Sequence, residues 1–152
     1  MSRVSAVDLP ADSVLHQRRV PRDFLDCYAV AADMSPRQAA NIITDFPGWA
    51  KFLVVMRGII TAPFGLDNKG PDAADKVGLF PVELDTGTEL VAGFDDKHLD
   101  FRVSVMAQDG QVTLATWVSP HNIGGRLYLA AIMPFHIAIV RNALGRVAKA
   151  TA

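Results

Sequence analysis

The dipeptide Asp109-Gly110, set between two stretches of alternating apolar and polar residues, most constrains what this chain can fold into. Asp-Gly favours a two-residue hairpin turn, because both residues adopt the left-handed backbone that such a turn needs. A two-residue turn places Gln108 opposite Gln111. The same register pairs Val105 with Leu114, Val103 with Thr116 and Phe101 with Val118 on one face, and Ser104 with Ala115, Arg102 with Trp117, Asp100 with Ser119 and His98 with His121 on the other.

Two further turns extend this hairpin into a predicted four-strand antiparallel meander. A tight turn at Asp96-Lys97 and a three-residue loop over 85–87, with Gly87 in the left-handed position, satisfy the alternation on either side. The predicted pairs are Phe94 with Leu99, Ala92 with Phe101, Leu90 with Val103, Val82 with Leu90, and Phe80 with Ala92. Large apolar side chains then share one face, and the polar face resembles the solvent-facing side of an antiparallel sheet.

Around the meander, the patterns predict two further strands and three helices. In chain order they are a loose arm over residues 1–12, a short edge strand over 13–20, a strand over 24–31, a helix begun by Ser35 and Pro36 that runs to Phe46, a second helix over 49–60, a surface loop over 67–76 and a long helix from Asn122 to about Ala150. Pro134 should kink the last helix. The sequence therefore predicts an α+β fold, with a single helix-grip-like domain over 13–150. In this domain the C-terminal helix covers the sheet.

Composition excludes several classes of protein. Half of the 152 residues are apolar, so we do not expect a disordered chain. The 15 basic side chains are balanced by 16 acidic ones, so we do not expect nucleic-acid binding. The net charge of -1 gives no reason to expect an anionic membrane as partner. Because the apolar run Leu127–Val140 stops short of the ~20 residues of a membrane span, no span is expected. The single Cys27 and the lack of a leader pattern favour the cytoplasm.

A family resemblance rests on GFDDKHLDFRVSV, residues 93–105, and on HNIGGRLYLAAIMPFHIAIVRNAL around Ile123. With the DFPGW and PFGL segments near Trp49 and Phe64, these residues resemble an uncharacterised bacterial domain family of unknown function, over about Asp23 to Arg146. That family is distantly similar to the START-like, polyketide-cyclase-like helix-grip superfamily (SRPBCC-like). The resemblance implies binding of lipids, polyketides or other apolar small molecules between sheet and long helix, and in a minority of members cyclase, hydrolase or dehydratase activity.

Ligand binding is the first functional hypothesis. It places an apolar or amphipathic small molecule in a cavity between the sheet and the last helix, with no cofactor. His136, on the apolar stripe of that helix, is either a core histidine bonded to a backbone carbonyl, Tyr28 or Tyr128, or a polar anchor for a ligand. The predicted lining is Phe80, Ala92, Phe101, Thr116, Tyr128, Met133 and His136, and the alternative is a filled core.

Catalysis is the second hypothesis. Polar residues gather near one end of the polar face, namely Asp95, His98, Asp100, Arg102, Ser119 and His121. His98 or His136 could act as a general base, with Asp100 or Tyr128 assisting, in a cofactor-free cyclase, hydrolase or dehydratase. Paired His98 and His121 with Asp100 could also hold a divalent metal, although no metal is the expectation. The structural alternative is the ordinary polar face of a sheet.

Interaction with another protein or with a second copy, as a homodimer, is the third hypothesis. Arg102 beside Trp117 allows a guanidinium to rest on an indole face. The pair is either structural or the centre of a partner surface, because Trp and Arg are enriched at interface hot spots.

Overall fold

The computed structural model describes residues 4–17, 23–44, 75–77, 80–95, 99–121 and 123–150. Among them, seven strands form one antiparallel sheet in the order β1-β2-β7-β6-β5-β4-β3. The elements are β1 (Ser5–Ala6), a 3-10 helix (Val14–Gln17), β2 (Phe24–Ala31), α1 (Pro36–Ile43), β3 (Lys76–Val77), β4 (Phe80–Asp85), β5 (Glu89–Asp95), β6 (Leu99–Gln108), β7 (Gln111–Pro120) and α2 (Ile123–Ala150). The α+β class with a C-terminal helix is confirmed, but the predicted four-strand meander is too small, because β2 adds to β7 and β1 adds to β2.

The hairpin at Asp109-Gly110 forms in the predicted register. Gln108 lies opposite Gln111, and both turn residues have positive φ, 57° and 72°. The predicted partners of residues 100–105 on β6, which are residues 114–119 on β7, are all confirmed. The predicted pair of His98 with His121 lies outside the described residues.

The register between β5 and β6 differs from the prediction by two residues. Ala92 pairs with Val103 instead of Phe101, Leu90 with Val105 instead of Val103, and Phe94 with Phe101 instead of Leu99. The connection is longer than a two-residue turn at 96–97, since the last pair before it joins Asp95 to Asp100. A register shift of two residues leaves each side chain on its predicted face of the sheet, because side chains along a strand alternate between the faces with a period of two.

The hairpin between β4 and β5 also differs, because a β-bulge interrupts it. Val82 pairs with Ala92, not Leu90, and the register then shifts before Leu84, which pairs with Val91. The bulge sends Val82 and Leu84 to opposite faces of the sheet, where they join different apolar clusters. Gly87 has the predicted positive φ, 88°.

Gly93 allows close approach of β5 and β6. Its φ is +143°, and a Cβ at this position would lie 2.4 Å from the carbonyl oxygen of Phe101. A side chain cannot be accommodated there without moving backbone.

The helices cover one face of the sheet, here called the helix-side face. Leu90, Val105 and Leu114 on the sheet pack in one buried cluster with Val140 and Leu144 of α2. The predicted covering of the apolar sheet face by the last helix is therefore confirmed. The two halves of α2, Ile123–Ala131 and Met133–Ala150, meet at an angle of 53° near Pro134. This bend matches the predicted kink, because proline cannot donate the backbone hydrogen bond of a regular helix.

The first helix begins as predicted and ends early. The Ser35 hydroxyl accepts a hydrogen bond from the Gln38 backbone N–H at 3.1 Å, and the Gln38 side chain accepts one from the Ser35 N–H at 3.0 Å. This capping box satisfies two free amides at the helix start. The helix ends at Ile43, with Thr44 as its cap, short of Phe46. The predicted helix over 49–60 and most of the loop over 67–76 lie outside the described residues.

The N-terminal residues cover the opposite face of the sheet, here called the arm-side face. Ser5 and Ala6 pair with β2, although residues 1–12 were predicted as a loose arm, and Val14–Gln17 form a 3-10 helix where an edge strand was expected. Leu15 is fully buried in a cluster with Trp117 and Val91. The centre of the polar face of the meander, at Arg102, Ser104 and Trp117, is thus buried, whereas Asp100 and His121 at one end are partly exposed.

Over the parts of the chain that the structure describes, no single helix combines the length and the apolar character that crossing a membrane requires.

Candidate functional site

A histidine–carboxylate pair links the last helix to the second strand on the helix-side face. Strand alternation in β2 points Asp26 toward α2, whose inner side carries His136. The Nε2 atom of His136 lies 2.9 Å from Oδ2 of Asp26, and the two side chains are only 17% and 18% exposed. These residues are 110 positions apart in the chain. The fold therefore assembles a largely buried dyad in which the carboxylate orients the imidazole.

Aromatic packing and an unsatisfied oxygen define the surroundings of this dyad. The ring of Phe24 meets His136 edge to face, with 6.1 Å between ring centroids. The second carboxylate oxygen of Asp26, Oδ1, is buried and has no hydrogen-bond partner among the described residues. A buried acceptor of this kind can take a hydrogen bond from a ligand group or from water.

A cleft of about 440 Å³ opens next to the dyad, between the start of β2, the end of β7 and the first half of α2. Its lining is Asp23, Phe24, Pro120, Arg126, Leu129, Ala130 and Met133. Phe24 belongs both to the cleft and to the contact with His136. The cleft thus has apolar walls, one guanidinium and one carboxylate, with the dyad one helical turn beyond Met133.

The carboxylate of Asp23 is held by the indole of Trp117. The Trp117 Nε1–H donates to Oδ2 of Asp23 at 2.9 Å, and both residues are buried. This bond fixes the chain where it enters β2, and so fixes the position of Phe24 in the cleft wall.

The one cysteine, Cys27, follows Asp26 on β2 and points to the arm-side face. Burial, together with the nearby charges of Asp26 and Asp8, raises the pKa of this thiol to about 12. The thiol is therefore protonated at physiological pH and is not a nucleophile.

Residues 21–143 match the model of a family described as a protein of unknown function, DUF2867. The chain belongs to the DUF2867 family. No curated protein and no solved structure gives a significant match.

The cavity residues predicted for this DUF2867 member divide into two groups. Met133 lines the cleft, and His136 lies beside it. Ala92 is completely buried in the core, Thr116 is buried, and Phe80 packs edge to face on Phe101 at 5.5 Å. These four sheet residues do not line the cleft. The side chain of Tyr128 lies outside those described.

The polar residues predicted to gather at one end of the meander are only partly brought together. His121 and Asp100 form an ion-pair contact of 2.9 Å between Nε2 and Oδ1. His98 lies outside the described residues. Over the ranges that the structure covers, no group of three or more histidine, cysteine, aspartate and glutamate side chains could hold a metal ion.

Arg102 and Trp117 pair across the strands as predicted, but both are buried. The guanidinium of Arg102 donates to Oε2 of Glu83 at 3.2 Å and to the carbonyl of Phe101 at 2.7 Å. These contacts hold the pair beneath the arm-side face, so it does not present an open surface to a partner.

Sequence reasoning missed the partner of His136 and a buried glutamate of the DUF2867 domain. Asp26 carries no local motif, although its place on the apolar side of an alternating strand was a signal, since a carboxylate there needs a partner. Glu89 is 3% exposed and accepts hydrogen bonds from the Ser13 and Ser104 hydroxyls and, at 3.1 Å, from the Val14 N–H. Nothing local in the sequence points to this cluster.

Proposed function

We propose that this DUF2867 domain binds an amphipathic small molecule in the cleft between β2, the end of β7 and the first half of α2. The observation that carries the proposal is the cleft itself, whose volume of about 440 Å³ lies within the range of small-molecule sites. Phe24, Leu129 and Met133 provide apolar contact area. The Arg126 guanidinium provides hydrogen-bond donors for a carboxylate or phosphate group at the polar end of the ligand.

Two further features support the proposal. A sheet packed against a long C-terminal helix is the arrangement in which the START-like helix-grip superfamily holds apolar ligands, and we propose that this chain is a distant member. The His136–Asp26 dyad, whose imidazole contacts the cleft-lining ring of Phe24, places polar groups next to the apolar walls. We also propose a cytoplasmic location, where the single buried thiol of Cys27 would stay reduced.

Titration with an environment-sensitive dye tests the proposal. Anilinonaphthalene sulfonate, an amphipathic anion, should bind one molecule per chain with a rise in fluorescence. Ala130→Phe places a ring in the cleft and should weaken binding by about tenfold or more, about 1.4 kcal/mol, without unfolding the domain. Ala150→Phe, at an exposed position near the end of the same helix and away from the cleft, is the matched control and should bind as the wild type does.

Equal binding by wild type and Ala130→Phe would refute the cleft as the site. Loss of binding in both variants would show that the dye reports a general surface of α2. Thermal unfolding of each variant establishes that the comparison is made between folded proteins.

The His136–Asp26 dyad favours a second candidate, a cofactor-free cyclase, hydrolase or dehydratase. If the Nε2–H of His136 donates to Asp26, its Nδ1 atom carries the lone pair and can accept a proton from a substrate or a water molecule. Asp26 then positions the ring and stabilises the imidazolium that forms. This assignment replaces Asp100 and Tyr128 by Asp26 as the assisting group.

Turnover of a panel of esters and polyketide-like substrates tests this candidate. His136→Gln should abolish turnover, and Asp26→Asn should reduce it while leaving substrate binding in place. His16→Gln, at an exposed histidine of the 3-10 helix, is the control and should have wild-type activity. Absence of turnover in the wild type across the panel, with dye binding intact, would leave a binding domain only.

A protein-interaction role centred on Arg102 and Trp117 receives less support. Both side chains lie beneath the arm-side face, with Arg102 bonded to Glu83 and Trp117 bonded to Asp23. A partner could reach them only after displacement of the residues that cover them.

A further inference from the structure

The outward side of α2 is apolar over residues 123–138, on both sides of its bend. In the parts of the chain that the structure describes, four of the five large apolar side chains that are exposed lie on this helix, namely Ile123 at 74%, Leu127 at 67%, Phe135 at 50% and Ile137 at 38%. A helix that covers a sheet normally has polar residues on its outer side. We call the surface formed by these four residues the outer apolar patch.

Small residues continue the patch, and it ends abruptly. Ala130, Ala131, Pro134 and Ala138 are exposed between the large side chains. From Arg141 onward the exposed residues are Arg141, Asn142, Lys149 and Ala150, so no large apolar side chain is exposed there. The apolar surface therefore belongs to residues 123–138, with Ile123 and Leu127 on one side of the 53° bend and Phe135 and Ile137 on the other.

The charged side chains of α2 itself are all basic. The helix carries Arg126, Arg141, Arg146 and Lys149 and no acidic residue, so all 16 acidic residues of the chain lie elsewhere. Arg126 and Arg141 are exposed and lie near the patch toward its two ends, and the Arg141 guanidinium also lies over the ring of Tyr28, 5.3 Å from the ring centroid. The net charge of -1 for the whole chain thus conceals a basic helix.

We propose that the outer apolar patch docks on the surface of an anionic lipid bilayer, with Arg126 and Arg141 at the headgroups and the four large side chains inserted below them. An apolar helical face bordered by arginine is the arrangement that binds at the bilayer interface. A second copy fits this surface less well. Symmetric packing of two patches brings like-charged arginines together, and α2 offers no carboxylate to compensate them.

Docking would also bring the mouth of the cleft to the bilayer, since Arg126 and Ala130 line the cleft on the same helical turns as Leu127. The docking proposal does not depend on an occupied cleft. Vesicle binding and dye binding are therefore independent tests, and either can fail alone.

Vesicle flotation with purified protein tests the proposal. The protein should float with vesicles of phosphatidylcholine and phosphatidylserine, float less with phosphatidylcholine alone, and dissociate at high salt, because salt screens the arginines. Leu127→Ser combined with Phe135→Ser should weaken binding about 100-fold, since each removes the transfer of a large apolar side chain. Arg126→Gln should weaken it about fivefold, the equivalent of about 1 kcal/mol per basic residue.

Val7→Ser is the matched control, because Val7 is the exposed large apolar residue that lies outside α2 among those described. This variant should float as the wild type does. Failure of the wild type to float, equal flotation with both lipid compositions, or unchanged flotation of the Leu127→Ser, Phe135→Ser variant would overturn the proposal.

Three other results would overturn it by naming a different occupant. A wild-type dimer that the double variant converts to a monomer, with no flotation, would assign the patch to a second copy. A fall in the melting temperature of the double variant, with no flotation, would show that other residues of the chain already cover the patch. Flotation that resists both salt and alkaline carbonate would indicate insertion across the bilayer.

Discussion

Removing the carboxylate of Glu89 should release the N-terminal residues from the arm-side face. Its Oε2 atom accepts from the hydroxyls of Ser13, at 2.7 Å, and Ser104, and its Oε1 atom accepts from the Val14 N–H at 3.1 Å. Hydrogen bonds to a charged group each contribute about 1.5–3 kcal/mol, and donors left buried without a partner add a desolvation cost. Because the contributions overlap, we expect Glu89→Ala to lower the free energy of unfolding by about 3–5 kcal/mol.

Urea unfolding, followed by tryptophan fluorescence, measures this change, since Trp117 lies in the buried cluster beneath the 3-10 helix. Asp33→Ala removes a negative charge at an exposed position and should change stability by less than about 0.5 kcal/mol. Limited proteolysis adds a local measurement, because loss of the Glu89 contacts should open residues 4–17 to cleavage before the rest of the domain.

A double-mutant cycle separates the parts of this cluster. Ser13→Ala and Ser104→Ala should each cost about 1–2 kcal/mol, and the two together should cost less than the sum, because both hydroxyls donate to the same oxygen. A cost below about 1 kcal/mol for Glu89→Ala, or unchanged protease resistance of residues 4–17, would refute the role assigned to the carboxylate.

Three further predictions concern β2 and the β5–β6 pair. Gly93→Ala should lower the free energy of unfolding by at least about 2 kcal/mol, because the new Cβ meets the Phe101 carbonyl at 2.4 Å in a positive-φ backbone. Gly145→Ala, in open helical surroundings, should instead raise the free energy of unfolding by about 0.5–1 kcal/mol. Urea unfolding of the two variants measures both changes. The pKa of Cys27 is about 12 in the folded chain, against 9.0 for a free thiol, so the unfolded chain releases this proton at lower pH than the folded chain does. The free energy of unfolding should therefore fall as the pH rises above about 9. A thiol reagent added to the native protein at pH 8 should give no reaction. Asp26→Ala should cost about 1–3 kcal/mol in urea unfolding, because it leaves His136 without its partner, and Asp26→Asn should cost less.

Features formed by neighbouring residues could be predicted from the sequence. The register at Asp109-Gly110 and the start of α1 at Ser35-Pro36 both match the structure. Each depends on the backbone preferences of a few adjacent residues, which tertiary contacts reinforce. The turns at 85–87 and 96–97 were wrong in register because a bulge or a longer connection satisfies the same alternation of side chains.

The candidate site could be predicted only in part. The position of His136 on an apolar stripe predicts that its ring has a hydrogen-bond partner. The sequence does not identify that partner as Asp26, because Asp26 lies 110 residues away. Ala92, predicted as part of the cavity wall, lies in the same buried cluster as Val140 and Leu144 of α2, and the cleft lies nearer the start of that helix, at Arg126 to Met133.

The sequence by itself determined the hairpin at Asp109-Gly110, the strand over 24–31, the start of α1 and the face that α2 covers. Hydrophobic periodicity and turn chemistry act over a few residues, and both can be evaluated without knowing the fold. Only the tertiary structure decided that residues of the 4–17 segment cover the centre of the polar face, that Glu89 anchors them, and that a cleft lies between the first half of α2 and the ends of β2 and β7. These features depend on which distant surfaces meet, and a chain can satisfy its local preferences equally well in several such arrangements.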